Sequence, residues 1–317
     1  MEKRMSPSID VIIPTYHPDE KYVRLLEMLA RQVYPIHKII VLNTEKAYYH
    51  PEQYPVLEQL QVTHISKSEF DHGGTRNQGV QMSDSDLVLF LTQDAVPADE
   101  HLTERIAACF ADPKVASVYG RQLPAEDCNL IEQYSRQFNY PGESQIKTRE
   151  DLDRLGIKTY FCSDVCAAYR RSVYEALGGF PLRTIFNEDM VYASKVIGAG
   201  YAIIYCAEAK VIHSHNYTGL QQFHRNFDNG VSQKDYEGIF ASLPAEGEGI
   251  KMVKSTAQYL VSKGKWYLIP KLVYISGCKY LGFRLGKQYQ KLPKALVRWC
   301  TMDKGYWKKL ETEVVEK

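Results

Sequence analysis

The chain has 317 residues, 44% hydrophobic and 24% charged, as expected of a soluble globular protein with one large domain and an appendage. It has no run of about 18 uninterrupted apolar residues and no apolar leader before a small-residue cleavage site, so neither a spanning helix nor a secretory signal is expected. Its net charge of +1 hides two unlike parts: residues 251–317 hold 15 Lys/Arg against 4 Asp/Glu, a balance of +11, which leaves −10 for the rest.

The first predicted element is a buried strand, "IDVIIP" at 9–14, stopped by Pro14. A helix follows over 19–33, with Leu25, Leu26, Leu29 and Val33 at helical spacing and acids at its start. Strands are expected at "KIIVLN" (38–43) and, more weakly, "QVTHIS" (61–66). The segment "EFDHGGTRNQGV" (69–80) is poor core material and runs into a helix from about Thr75. "DLVLFL" (86–91) is a fourth strand, ending at "TQDAVP"; a helix over 99–111 and a strand "VASVYG" (115–120) come next. This alternation predicts an α/β fold with a mostly parallel sheet flanked by helices. Ligands of such sheets bind at the carboxyl ends of the strands, which here carry "TYHPD", "NTE" and "TQDAVP".

Further on, "TYFCSDVCAAYRRSVYEALGGF" (159–180) reads as a strand and a short helix ending at Gly178-Gly179. "FNEDMVYASKVIGAGY" (186–201) opens a helix with Glu188 and Asp189, and "AKVIHSHNY" (209–217) is a strand with a polar end. After Thr218 the pattern is helical, and from Lys251 basic, so the chain divides at 1–217 and 218–317. The seven cysteines are scattered, with Cys162 and Cys166 the only close pair, as in a reduced cytosolic protein.

Four features carry possible chemistry. Asp94, at the mouth of a buried strand, suits a divalent cation shared with phosphates, or equally a helix cap. "HGGTRN" offers glycines for close backbone approach, Arg76 for phosphate oxygens and a helix start for an anion; it also suits a plain turn, and it is no Walker loop. Asp189 is placed to accept a proton from a hydroxyl, or to cap its helix. His213 and His215 alternate along a strand, so one imidazole could reach a metal, or both could pack.

In order along the chain, "VIIPTYHP", "VLNTE", "FDHGGTRNQGV", "LFLTQDAVP", "NEDM" and "HSHNY" resemble the inverting family 2 glycosyltransferases with a GT-A fold. "FDHGGTRN" with "TQDAVP" is similar to bacterial rhamnosyltransferases of cell-wall and surface polysaccharide synthesis, and the resemblance spans roughly residues 8–230. It implies that Pro14, Thr15 and Tyr16 line the nucleotide pocket, with Gln93 also in the donor set. Asn43 stands where many relatives have an Asp that reads the base. His72, Arg76 and Asn77 are implied to meet the nucleotide diphosphate and the strand carrying it. Asp94 matches the last acid of a metal-binding DxD whose first acid is Thr92 here, His215 is a further implied ligand for Mg2+ or Mn2+, and Asp189 is the implied general base. The implied donor is dTDP-β-L-rhamnose, and the product an α-L-rhamnoside. The rivals are a transferase of the same fold using a UDP-hexose, a sugar-phosphate nucleotidyltransferase, whose glycine-rich turn "PTYHPD" lacks, and a non-catalytic scaffold.

Residues 251–300 mix Leu, Trp and Tyr with Lys and Arg, and Lys271, Lys279 and Arg284 interrupt the apolar windows. They read as amphipathic helices at an anionic membrane surface, as a helical subdomain or as an oligomer contact. Surface binding would suit a lipid-linked saccharide acceptor and a peripheral place on the cytoplasmic face of the membrane. No nucleic-acid motif is present.

Overall fold

The computed structural model describes residues 6–241 and 246–315. The first half comprises β1 (Ile9–Tyr16), α1 (Glu20–Ala30), β2 (Lys38–Thr44), β3 (Leu60–Ile65), α2 (His72–Gln81), β4 (Leu87–Leu91) and the short β5 (Val96–Pro97). There follow α3 (Leu102–Cys109), β6 (Val115–Leu123), α4 (Leu130–Asn139), β7 (Gln145–Lys147), α5 (Leu152–Leu155), β8 (Cys166–Arg170), α6 (Arg171–Ala176), α7 (Glu188–Gly198) and β9 (Ala202–Ile212). The rest is helical: α8 (Gly219–Asp235), α9 (Glu237–Phe240), α10 (Glu246–Ser262), α11 (Ile269–Gly286), α12 (Lys294–Cys300) and α13 (Lys304–Val315). Among the described residues no helix is long and apolar enough to cross a membrane.

The strands form one sheet in the order β3-β2-β1-β4-β8-β6-β9-β5, with β7 on β9. The first four pair in parallel, as the βα alternation requires. Strand β8 then inserts antiparallel to both β4 and β6, so the sheet is mixed, while β6 and β9 are again parallel. Two antiparallel steps restore the direction, so β1, β4, β6 and β9 all end at one edge. Because Leu91 pairs with Cys166, the residues just before β8 reach that same edge. The sheet is buried on both faces: α1 and α3 bring Tyr22, Leu25, Leu29 and Ile106 to one side, and α2, α6 and α7 bring Val80, Tyr174, Tyr192 and Ile197 to the other. Burial on both faces is why the central β4 and the middle of β1 and β2 read as apolar runs, whereas β3, at the edge of the sheet, is mixed and partly exposed.

Several boundaries differ from expectation: α1 ends at Ala30, leaving Val33 outside it and exposed, and the strand expected near 159 begins only at Cys166. Two further differences bear on the site and have local reasons. Helix α2 starts at His72 rather than near Thr75, because Asp71 caps it: its Oδ1 accepts from the Gly74 N–H at 2.6 Å. Gly73 thereby falls in the first turn, where a Cβ would overlap the Pro181 carbonyl, so the close approach this glycine permits is to the protein's own backbone. Strand β9 ends at Ile212, which puts His213 and His215 in the irregular segment beyond it rather than on the strand.

Helices α8 and α11 cross at backbone contact. A Cβ at Gly282 or Gly286 would overlap the carbonyls of Phe223 or Phe227, and one at Gly230 the Phe283 carbonyl. This close crossing fixes where the side chains of α8 and α11 reach the sheet edge. A separate apolar cluster of Ile185, Phe227, Val231, Val297 and Cys300 seats α8 and α12 beside the segment leading to α7.

Candidate active site

The shared strand edge opens into a cleft of about 420 Å³. It holds His72, Arg76, Asp94, Asp189 and His215 of the predicted residues, together with His213. A second cavity of about 320 Å³, lined by Tyr16, Thr44, Lys67 and Phe70, adjoins it along His72, Phe186 and Arg225.

Asp94 lies just past β4, with both histidines upon it: His213 Nε2 is 3.5 Å and His215 Nε2 3.4 Å from Asp94 Oδ2. One ligand atom from each of the three residues lies within 4.8 Å of the others. The protonation of His213 follows from its neighbours. Arg136 can only donate, and it donates to Gln122 Oε1, while Gln122 Nε2 donates to the Tyr140 hydroxyl at 2.6 Å. The Gln122 oxygen at 3.0 Å from His213 Nδ1 must therefore accept, so Nδ1 carries the proton and Nε2 keeps its lone pair. Burial drives His213 down to about 3, although Asp94 opposes the shift, and burial lowers His215 as well. Neutral imidazole is the ligating form. A cation placed between such a lone pair and the carboxylate oxygen would be attracted by both. The donor set thus fits a divalent cation, held by two imidazoles and one carboxylate and oriented by Gln122 behind it. His213 joins His215 as the candidate ligand; the His-x-His spacing was the signal for it.

Asp189 lines the same cleft. Asn187, in the left-handed conformation at φ 64°, turns the chain into α7 and is tied by its Nδ2 to Asn229 Oδ1 on α8 at 2.8 Å. That turn places Glu188 and Asp189 in the first helical turn. Asp189 accepts from Met190 N–H at 2.7 Å and Asp164 N–H at 3.3 Å. Burial, then the negative charges of Asp164 and Glu188, push the Asp189 carboxyl well above the usual carboxylate range.

Arg76 is not a free fork for phosphate. Its side chain is only 8% exposed and its guanidinium is enclosed by acids: Nε lies 3.3 Å from Asp164 Oδ2 and one terminal nitrogen 3.1 Å from Glu188 Oε1. The same nitrogen donates to the His72 carbonyl at 2.9 Å. Asn77 faces away from the cleft, donating to the Phe180 carbonyl at 3.0 Å and accepting from Tyr174 at 2.6 Å, so it braces the Gly178-Gly179 turn instead of meeting a diphosphate. Asn43 is fully buried, accepting from Thr15 Oγ1 at 3.2 Å and donating to the Glu45 carbonyl at 3.1 Å; no face of it is left for a base. Gln93 holds the end of β1 by a reciprocal pair, 2.7 Å from Tyr16 N and 3.0 Å to Tyr16 O. Pro14 and Thr15 lie along β1 behind that pair, whereas Tyr16 is exposed at the second cavity, with Lys67 5.3 Å from its ring centre.

Cations that sequence reasoning missed come from the helical part. Arg225 of α8 sits 4.6 Å from the Phe186 ring and 5.9 Å from that of Tyr217, and Lys279 of α11 lines the same cleft. Among the described residues neither is paired with a carboxylate, whereas Arg136 is held by Glu132 at 2.7 Å. Only the α8–α11 crossing brings them here, and no local pattern in the sequence announces it.

A cation-fitting trio and a buried acid in one cleft at the carboxyl edge of this sheet suit a GT-A-like glycosyltransferase, and the chain belongs to glycosyl transferase family 2, matched over residues 10–178. It is 41% identical over 315 residues to the O-antigen chain rhamnosyltransferase RfbN of Salmonella typhimurium (strain LT2), covering 96% of this chain and 97% of that one. It is 48% identical over 255 residues to the O-antigen chain rhamnosyltransferase WbaN of Salmonella anatum, covering 78% of this chain and 79% of the relative. In fold it is similar to the mannosyltransferase PcManGT of Pyrobaculum calidifontis, solved in complex with GDP-Man and Mn2+, with a TM-score of 0.54 at 17% identity over 99% of this chain and 89% of that chain. S. aureus TarS 1–349 matches with a TM-score of 0.53 at 17% identity, over 90% of this chain and 91% of that chain.

Proposed function

We propose that the protein transfers L-rhamnose from dTDP-β-L-rhamnose to a hydroxyl of a lipid-linked saccharide during surface polysaccharide synthesis, with inversion. The observation that carries this is the meeting of Asp189 with Asp94, His213 and His215 in one cleft. The names of the relatives, each matched over most of its length, supply the sugar. The acceptor oxygen attacks the anomeric carbon while Asp189 takes its proton, and the bond to the diphosphate breaks with its electron pair on the leaving oxygen. The nucleoside lies in the adjoining cavity against Tyr16 and Lys67, Arg225 offers its charge to the diphosphate where the two cavities join, and Lys279 adds a second cation from within the first cleft. A divalent cation on Asp94, His213 and His215 would supply further positive charge to the leaving group. Thermal unfolding with a panel of sugar nucleotides tests the donor: dTDP-L-rhamnose is expected to raise the midpoint more than UDP-glucose or UDP-galactose, and the reverse order would move the protein to the UDP-hexose reading.

Two imidazoles beside one carboxylate favour Mn2+ over Mg2+, which prefers oxygen throughout its shell. Titrating the protein with Mn2+ and following the free-ion EPR signal is expected to show one site that Mg2+ displaces poorly. His213→Ala should weaken it about 10-fold or more, in line with the loss of an orienting or ligating group. Unchanged Mn2+ binding in that variant would place the cation elsewhere.

The helical region from Gly219 joins the cleft to a membrane surface in this reading. Trp266, Tyr274, Tyr280 and Leu281 are exposed on α11 and the turn before it, within the segment whose charge balance is +11. Full-length protein is expected to co-sediment with vesicles containing anionic lipid, to stay in solution with zwitterionic ones, and to be released as salt rises. Equal binding to both vesicle types would mean that the apolar side chains rather than the charge hold the surface, and binding to neither would assign this face to an oligomer contact. Anchored in this way, the enzyme acts peripherally on the cytoplasmic side.

A further inference from the structure

The cleft contains a carboxyl group that the proposed reaction does not use. Asp164 lies in the loop just before β8, 4% exposed, with a hydrogen bond on one oxygen and an ion pair beside the other. The Tyr169 hydroxyl donates to its Oδ1 at 2.7 Å, and Arg76 Nε stands 3.3 Å from its Oδ2. Its own N–H points at Asp189 Oδ2, 3.3 Å away. Three acids, Asp164, Glu188 and Asp189, thus share one buried guanidinium, which cannot neutralise them all.

We infer that Asp164, clamped by Arg76 and Tyr169, is a positioning residue that orients the Asp189 carboxylate and tunes its proton affinity. The inference rests on Asp189 being the base. The Asp164 backbone fixes one Asp189 oxygen while the Met190 N–H fixes the other, so the carboxylate cannot rotate away from the cleft. The Asp164 side chain adds a like charge in a site that water screens poorly, and like charges there raise proton affinity. Facing the two aspartates are Arg76 from α2, Glu188 from α7, Tyr169 from β8, Tyr174 from α6, Tyr140 at the end of α4 and Cys162 from the loop. Burial raises the tyrosines and the thiol, so they stay neutral near pH 7, and Arg76 is the one cation in this set. Burial lifts Asp164 itself to about 7, with Arg76 pulling it down and Glu188 pushing it up. The two aspartates consequently titrate as a pair.

The test is the pH profile of kcat/KM for turnover of dTDP-L-rhamnose by the full chain, in the wild type, Asp164→Asn, Tyr169→Phe and Asp189→Asn. Removing the like charge lets Asp189 ionise sooner, so the acid limb of Asp164→Asn is expected to move down by about one pH unit. Tyr169→Phe strips a donor from Asp164, which then protonates more readily, and the limb is expected to move the same way by less. An unmoved limb in Asp164→Asn beside an inactive Asp189→Asn overturns the inference and leaves the base in place. Full activity in Asp189→Asn overturns the base assignment and this inference with it. Should Asp164→Asn fail to fold by circular dichroism, Tyr169→Phe decides: a downward shift supports the tuning role, and an unmoved limb ends it.

Discussion

Asp189→Asn is expected to lower kcat by about 10²–10⁴-fold, the range for losing a positioned general base, while the donor still binds. Two features of the site set this expectation. Asp189 accepts from the Met190 N–H at 2.7 Å and from the Asp164 N–H at 3.3 Å; asparagine has the same size and its one oxygen can keep the shorter bond, giving up only the longer one, so the shape of the cleft is retained. The groups assigned to the donor, Arg225, Lys279 and the Asp94 trio, do not depend on it. Wild-type activity should fall as pH drops through the Asp189 pKa, and burial together with Asp164 and Glu188 places that fall above the ordinary carboxylate range. Steady-state kinetics with dTDP-L-rhamnose, paired with a thermal-shift measurement of donor binding, separates the two effects. Equal losses of turnover and donor binding would mean that Asp189 holds the donor or the fold, and near-normal turnover would remove it as the base.

Much of the scaffold was legible because the strands are buried on both faces. Residues 11–14 of β1, 39–42 of β2 and all of β4 are apolar runs that stop at polar residues, and those stops mark the catalytic edge. Asp94 was found by this logic, and Asp189 by the acids that open α7. The antiparallel insertion of β8 was not legible, since an apolar run such as "CAAY" carries no direction. That insertion brings Asp164 to the edge, so its role was hidden with it. The start of α2 was misplaced because two glycines read as a turn, whereas the Asp71 cap had already begun the helix. Arg76 shows a deeper limit. A lone arginine in a polar segment looks free, and only the fold reveals that acids from the β8 loop and from α7 enclose it. Arg225 is the converse case, an arginine within an ordinary helix whose value comes from the α8–α11 crossing.

The two roles considered for Arg76 predict opposite results for Arg76→Met. A phosphate fork, once removed, would weaken donor binding and leave the folded chain about as stable as before. A buried counter-ion, once removed, strands Asp164, Glu188 and Asp189 together without compensation. Breaking such a buried pair by removing one partner costs about 3–5 kcal/mol, and the Arg76 and Asp164 side chains, 8% and 4% exposed, lie deep enough for that range to apply. Urea denaturation without donor is therefore expected to show a large fall in midpoint. The loss also has a pH signature. Without the guanidinium the folded-state carboxyls bind protons more tightly than the unfolded ones, so the variant gains stability as they are protonated and loses it as pH rises through their folded values. Wild-type Asp164 already stands at about 7, and the variant's group lies higher still. The gap between the two proteins should accordingly narrow as pH falls from above 7 towards the unfolded carboxylate value near about 4. Adding Glu188→Gln to Arg76→Met removes one of the stranded charges and should recover part of the stability. A variant as stable as wild type at every pH, with donor binding alone impaired, would return Arg76 to the phosphate.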